Sequence, residues 1–150
     1  MMPSQANIAG NIHGGEIMKI MDSTAYAAAR RYAQANVVTA RVDELEFHLP
    51  ILIGDLVFCT AQIVFVGKSS MEVAVNVEIE TLQGYGERKK ALSAFFTMVA
   101  LDERMRPKTV PELILASDEE KHAFLEGKNR YEKYKERKQI QRIQDAQKQM

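Results

Sequence analysis

The sequence of 150 residues predicts an α+β fold in which one antiparallel sheet wraps around a single long helix. An alanine-rich helical segment near the amino terminus is followed by four strand-like segments with short turns between them, and short turns favour antiparallel pairing. A sheet of that size has one apolar face to bury, and the one long helix would cover it. Small alanine side chains would let the sheet approach the helix closely.

The helix is predicted over residues 16 to 34, directly after the glycines Gly14 and Gly15. Its apolar residues recur at spacings of three and four, which is typical of one buried helix face: Ile17, Met18, Met21, Ala25, Ala28, Ala29 and Tyr32. Asp22 lies beside this stripe, where burial of a carboxylate without a partner would be costly. The glycines would leave the first, unpaired amides of the helix accessible to a ligand.

Four strands are predicted from apolar patterning and from the turns that separate the segments. Their predicted ranges are 37 to 49, 55 to 66, 71 to 80 and 88 to 101. The third strand alternates apolar and polar residues, which indicates one buried and one solvated face. The fourth is apolar on both faces, as a central strand would be.

The composition changes towards the carboxyl terminus, so the sequence predicts one domain over residues 1 to 115 and a charged helical extension over residues 116 to 150. Ser117 with Glu120 three residues later is a capping box, which marks a helix start. Residues 128 to 150 hold eight Lys or Arg and three Asp or Glu, a local net charge of +5. Their apolar periodicity is weak, which predicts a solvated helix or a frayed tail.

Overall charge and cysteine usage limit the function classes. The formal net charge is zero, so no global field favours nucleic acid or a membrane surface as a partner. The single cysteine, Cys59, lies in an apolar run and is expected to be a structural thiol in a reducing compartment. No apolar run is long enough to span a bilayer, so a cytoplasmic location is expected.

If the Gly15 amide and the Asp22 carboxylate act on the same carbonyl group, their spacing indicates a site shared between two chains. Seven residues of helix correspond to about 10 Å of rise, of which the backward lean of a side chain recovers only about 2 to 3 Å. An amide at Gly15 and a carboxylate at Asp22 of one helix therefore cannot both reach one carbonyl group. Two antiparallel copies of the helix would supply both groups.

Several sequence motifs together resemble one family. These are Asn-x-His-Gly-Gly-x6-Asp from Asn11 to Asp22, the strand sequence over residues 42 to 57, the Val-Gly-Lys-Ser-Ser-Met turn over 66 to 71 and the strand over 94 to 102. Over about residues 2 to 111 the chain resembles the hot-dog acyl-CoA thioesterases, and more closely their broad-specificity cytosolic acyl-CoA hydrolase branch. The resemblance implies hydrolysis of acyl-CoA to the free acid and CoA, without a metal or other cofactor, because CoA is part of the substrate.

The resemblance also implies an assembly and a set of site residues. Members of this family form homodimers with shared active sites, which often assemble into trimers of dimers. Asp22 would be the catalytic carboxylate, as general base or as nucleophile, with Asn11 as its polar partner from the other subunit and the Gly15 amide as donor to the thioester oxygen. The turn Gly67, Lys68, Ser69, Ser70 would hold the CoA nucleotide, and Arg88 is a candidate phosphate contact.

One departure from the family pattern concerns the first strand. The family has a strand before the segment that corresponds to Asn7-x3-Asn11, and only Met1 to Ala6 precede it here. An outer strand is therefore expected to be short or missing.

The preferred acyl chain length is expected to depend on a tunnel along the helix, with Met18, Met21 and Phe47 as candidate lining residues.

Two other functions compete with hydrolysis. A non-catalytic module that senses CoA esters would bind the same ligand without cleaving it. A hot-dog enoyl-CoA hydratase or dehydratase would use a histidine near the helix, and His13 is the one candidate. Assays of thiol release from acyl-CoA and of water addition to an enoyl-CoA would distinguish the three functions.

Overall fold

The computed structural model describes all 150 residues. Its elements are a short 3-10 helix (Pro3–Gln5), α1 (Gly14–Ala33), β1 (Asn36–Phe47), β2 (Leu56–Val66), β3 (Ser70–Glu80), β4 (Lys89–Leu101) and α2 (Asp118–Lys148). The chain divides into two compact units, Met1–Glu112 and Leu113–Met150. The first unit holds α1 and the whole sheet.

The four strands form one sheet in the order β1-β4-β3-β2, and all neighbouring pairs are antiparallel. Two hairpins join β2 to β3 and β3 to β4, whereas residues 48 to 55 carry the chain from β1 at one edge to β2 at the other. The predicted central position of β4 is confirmed. β1 is an edge strand whose outer side carries no neighbour within the chain.

Helix α1 lies against the inner face of the sheet. Its buried residues recur at every fourth position: Ile17, Met21, Ala25, Ala29 and Ala33. The matching inner positions of β3 and β4 are also buried: Met71, Val73, Val75, Val77, Ile79, Leu92, Ala94, Phe96, Met98 and Ala100. The small alanine side chains bring the helix backbone close to the sheet, and this confirms the predicted α+β class of a sheet wrapped around one helix.

Met21 offers a direct test of this packing, because its side chain is fully buried between helix and sheet. We expect Met21→Ala to lower the free energy of unfolding by about 2 to 5 kcal/mol, from lost burial and the cavity left behind. Urea denaturation at one fixed protein concentration measures the change. Lys19→Ala on the exposed side of the same helix is the control, with an expected change within about 0.5 kcal/mol. Similar losses in the two variants would contradict the packing described.

The residues before α1 contain no strand. Two isolated bridges, Ala6–Ile12 and Asn11–Leu52, hold this segment in place, and the Met1 carbonyl accepts a hydrogen bond of 3.1 Å from the Gly54 amide. β2 is therefore the second edge strand of the sheet. The expectation of a short or missing outer strand agrees with this arrangement.

The second unit consists chiefly of α2. Ser117 caps the helix: its hydroxyl accepts a hydrogen bond of 3.1 Å from the Glu120 amide, and the Glu120 carboxylate accepts from the Ser117 amide. The predicted capping box is confirmed. The helix continues without interruption past the buried Gly127 to Lys148, so the charged segment is helical. No helix in the structure combines the length and apolarity needed to cross a bilayer.

Candidate active site

The first turn of α1 presents unpaired backbone donors. Gly14 and Gly15 both belong to this turn, so the helix begins two residues earlier than predicted. The amides of Glu16 and Ile17 donate to the His13 carbonyl at 3.0 and 3.4 Å, whereas neither glycine amide donates a hydrogen bond within the chain. A Cβ at Gly15 would meet no atom within 4 Å. These two amides can therefore bind a ligand oxygen, aided by the positive end of the helix dipole.

A cavity of about 450 Å³ lies beside this helix start. Two asparagines and one histidine supply its polar side chains, and the remainder of the lining is apolar apart from Gly14. The lining includes Asn7, Asn11, Gly14, Ile17, Phe47, His48 and Leu92. The structure thus brings Asn11 and the glycine turn together in one chain, but Asp22 does not line this cavity.

Asn7 and Asn11 are joined in one loop. The Asn7 amide donates to the Asn11 carbonyl at 2.7 Å, and the Asn7 side-chain oxygen accepts from the amides of Ala9 and Asn11 at 3.0 and 3.1 Å. These bonds fix the orientation of the Asn7 carboxamide and leave its NH2 group without a partner in the chain. Asn7 therefore offers a pre-oriented side-chain donor at the edge of the cavity. The sequence predicts Asn11, not Asn7, as the polar partner of the carboxylate.

Asp22 lies at a different place on the surface of the same chain. Its side chain is exposed on α1, and its Oδ1 atom accepts a hydrogen bond of 2.5 Å from the Thr39 hydroxyl. Thr39 belongs to β1, the open edge strand, so the carboxylate is fixed at that edge. The second carboxylate oxygen of Asp22 is free to act on a ligand bound from outside the chain.

The predicted CoA contacts fall into two groups at opposite ends of the β3–β4 hairpin. The turn Gly67–Ser70 leads into β3, where Ser70 lies opposite Val99, close to the Thr39 end of the sheet. Arg88 precedes β4 at the other end, where its guanidinium lies 3.6 Å from the centre of the Phe58 ring. An eleven-residue strand spans about 35 Å, so the two groups cannot hold one nucleotide within a single chain.

The histidines and the cysteine show no catalytic pairing in this chain. His13 is exposed at the start of α1, and its side chain makes no capping hydrogen bond. His48 lies 3.2 Å from the Ser93 hydroxyl and 3.6 Å from the Glu46 carboxylate through the same ring nitrogen, so it does not link them as a triad would. Burial raises the pKa of the Cys59 thiol. A hydrogen bond with the Thr24 side chain lowers this pKa, but by less than burial raises it. No cluster of three or more metal-ligating side chains is found.

Sequence comparison places the chain in a known family. The family model of the thioesterase superfamily matches residues 9 to 84. The mouse protein named cytosolic acyl coenzyme A thioester hydrolase is 37% identical over 138 residues, which is 91% of this chain and 36% of the mouse protein. The chain therefore spans about a third of that relative. The acyl-CoA thioester hydrolase YciA of Escherichia coli K12 is 35% identical over 112 residues, which is 73% of this chain and 85% of YciA.

Solved structures give the same result. A structure described as an apo-hexameric acyl-CoA thioesterase has a TM-score of 0.85 and 34% identity, covering 91% of this chain and 87% of its own. The acyl-CoA hydrolase of Staphylococcus aureus, solved with butyryl coenzyme A, coenzyme A and coenzyme A disulfide, has a TM-score of 0.85 and 32% identity. That match covers 95% of this chain and 87% of the other.

Three further structures of the S. aureus hydrolase identify residue types to compare. They carry alanine in place of one asparagine, one aspartate and one threonine, at positions separated by 15 and then 17 residues. Asn7, Asp22 and Thr39 have the same order and the same separations in this chain. The local sequence pattern does not single out Asn7, because Asn11 is nearer to the glycine turn, or Thr39, because a threonine in a strand is unremarkable.

The matches in sequence and in structure agree on one fold and one set of relatives. The resemblance drawn from the glycine turn, the strand sequences and Asp22 is confirmed at the level of the family. The chain belongs to the thioesterase superfamily, with its hot-dog fold, and its relatives are acyl-CoA thioester hydrolases.

Proposed function

We propose that this chain hydrolyses acyl-CoA to the free carboxylic acid and CoA, at a site shared between two subunits. The observation that carries the proposal is that the reactive groups of one chain lie at two separate places. Free amides at the start of α1 adjoin a cavity, whereas a carboxylate held by Thr39 lies about two helical turns away at the open edge strand. The names of the relatives support the reaction, and the name of the mouse relative supports a cytoplasmic location.

The proposed reaction takes its two reactive groups, the Gly15 amide and the Asp22 carboxylate, from different subunits. The thioester oxygen accepts hydrogen bonds from the Gly15 amide and its neighbour, which stabilise the negative charge that develops on it. Asp22 of the other subunit either removes a proton from the attacking water or attacks the carbonyl carbon itself. In both routes the C–S bond breaks and the sulfur takes up a proton to become the CoA thiol. In the first route water adds to the carbonyl carbon directly, and in the second route water hydrolyses the mixed anhydride between the acyl group and Asp22, which releases the acid and restores the carboxylate.

The proposed dimer places two helices antiparallel, with the β1 edges of the two sheets adjacent. This arrangement removes an exposed strand edge from each subunit. It also brings the cavity end of one chain to the Asp22 end of its partner. Arg88 lies towards the cavity end and Gly67–Ser70 towards the Asp22 end, so one site would receive each group from a different subunit. The hexameric relatives are consistent with further assembly into trimers of dimers.

Within this site we assign the amide donor to Asn7, and Asn11 stays a prediction. Asn7→Asp keeps the side-chain oxygen that accepts from Ala9 and Asn11, but replaces the NH2 donor by a second oxygen. We expect kcat to fall about 10- to 100-fold, the worth of one hydrogen bond to a charged or polarised group. Asn11→Ala, which leaves both loop bonds to backbone atoms in place, is the matched control. A larger loss in Asn11→Ala would return the role to Asn11.

The proposed reaction is tested by measuring thiol release from several acyl-CoA esters. We expect release of CoA from at least one acyl chain length, without added metal or cofactor. Tight CoA binding with no release from any ester would favour the sensor module. Addition of water to an enoyl-CoA in place of thiol release would favour the hydratase, and either result would overturn the assignment.

A further inference from the structure

The cavity beside α1 is lined almost entirely by uncharged side chains. No Asp, Glu, Lys or Arg lines it, and its only titratable side chain is that of His48. Three of its apolar lining residues expose almost no surface, since Ile17 is 2% exposed, Leu92 1% and Ile51 4%, whereas Leu49 is 37% exposed. The phosphates of CoA would find no cationic partner here, whereas a hydrocarbon chain would contact apolar atoms on several sides.

Phe47 is the most exposed of the large apolar side chains that line the cavity. It lies opposite Leu92 in the β1–β4 register, so the two side chains share the inner face of the sheet. Leu92 is buried, but Phe47 remains 60% exposed. A phenyl ring on an inner face normally packs against other apolar groups, so this exposed ring is a surface that an apolar ligand can cover.

The position of the Phe47 ring connects the cavity to the reacting group. A Cβ built on Gly14 would lie 3.5 Å from Cζ and 3.6 Å from Cε1 of this ring. The ring therefore borders the first turn of α1, next to the amides proposed to bind the thioester oxygen. The acyl carbons that follow the carbonyl would meet the ring before they reach the deeper walls.

We propose that the cavity holds the acyl chain and that the Phe47 ring determines which acyl chains fit. The inference rests on the proposed thioesterase function and adds a specificity-determining residue to it. Of the three residues expected from sequence to line a tunnel along the helix, only Phe47 lines this cavity. Met21 is fully buried in the core, and Met18 packs against that core.

The experiment compares kcat/KM for butyryl-, octanoyl- and lauroyl-CoA in the wild type, Phe47→Ala and Phe47→Trp. Removal of the ring enlarges the cavity at its entrance, which a lauroyl chain must pass and a butyryl chain need not. Phe47→Ala should therefore raise the lauroyl-to-butyryl ratio of kcat/KM about tenfold, the lower end of what one methylene group in an apolar pocket is worth. The larger indole should lower the same ratio. Both variants should fold, because the side chain is largely exposed.

Phe58→Ala is the matched control, because the Phe58 ring lies under the Arg88 guanidinium and does not line the cavity. It should leave the lauroyl-to-butyryl ratio unchanged. An unchanged ratio in both Phe47 variants, or an equal loss for every acyl chain, would overturn the role of Phe47. A wild type that releases thiol from no acyl-CoA would instead refute the proposed function itself, so the two failures are distinguishable.

Discussion

Replacement of Asp22 by asparagine is expected to lower kcat for acyl-CoA hydrolysis by about 10²- to 10⁴-fold, the range that a positioned acid–base group contributes. The substitution keeps the shape of the side chain and an oxygen that can accept from the Thr39 hydroxyl. It removes the negative charge that the reaction needs, either to accept a proton from water or to attack carbon. Initial rates of thiol release at saturating substrate measure the effect.

The fold should survive this change, because Asp22 is exposed and belongs to no buried network. An unaltered circular dichroism spectrum and melting temperature would show this. Thr39→Val provides a graded comparison: it removes the hydroxyl that holds the carboxylate and should reduce kcat by less than Asp22→Asn does. Equal rates of thiol release by the wild type and Asp22→Asn would refute the role of Asp22.

The second large effect is expected at Gly15. Gly15→Pro removes the backbone N–H, and we expect kcat to fall about 10²- to 10³-fold, as it does when one oxyanion donor is lost. The first helical turn tolerates proline, because an amide there has no partner within the helix. The structure fits this condition, since the Gly15 amide donates to no group in the chain.

Gly15→Ala is the matched control, because it adds a side chain and keeps the amide. The added Cβ would meet no atom within 4 Å, and alanine favours the helix by roughly 0.5 to 1 kcal/mol over glycine, so the variant should be at least as stable as the wild type. Its kcat should exceed that of Gly15→Pro by at least tenfold. If the two variants lost activity equally, steric access at Gly15 and not its amide would be the cause.

The sequence predicted the elements that depend on local pattern. Alternation over β3 and the helical spacing from Ile17 to Tyr32 are consequences of burying one face, and they could be recognised without knowledge of the partners. The capping box of Ser117 and Glu120 was equally local. The strand ends differ from the predicted ones by two residues at most.

What the sequence could not predict depends on contacts between distant residues. The hydrogen bond from Thr39 to Asp22 joins β1 to α1 across 17 positions, and nothing in the local pattern marks either partner for the other. The Asn7 carboxamide is oriented by a turn whose geometry follows from its own hydrogen bonds. β1 is an edge strand because β4 is its only neighbour in the sheet, and this position follows only from the order of all four strands.

The shared site is the central claim, and active-site complementation tests it most directly. The Gly15→Pro chain keeps Asp22, and the Asp22→Asn chain keeps the Gly15 amide, so a mixed dimer has one site with both groups intact. Equal amounts of the two chains, produced together and shown by distinct tags to assemble, should recover about a quarter of wild-type kcat, because half of the dimers are mixed and each has one competent site. Activity that stays at the level of the separate variants, in oligomers shown to be mixed, would mean that each chain builds its site alone.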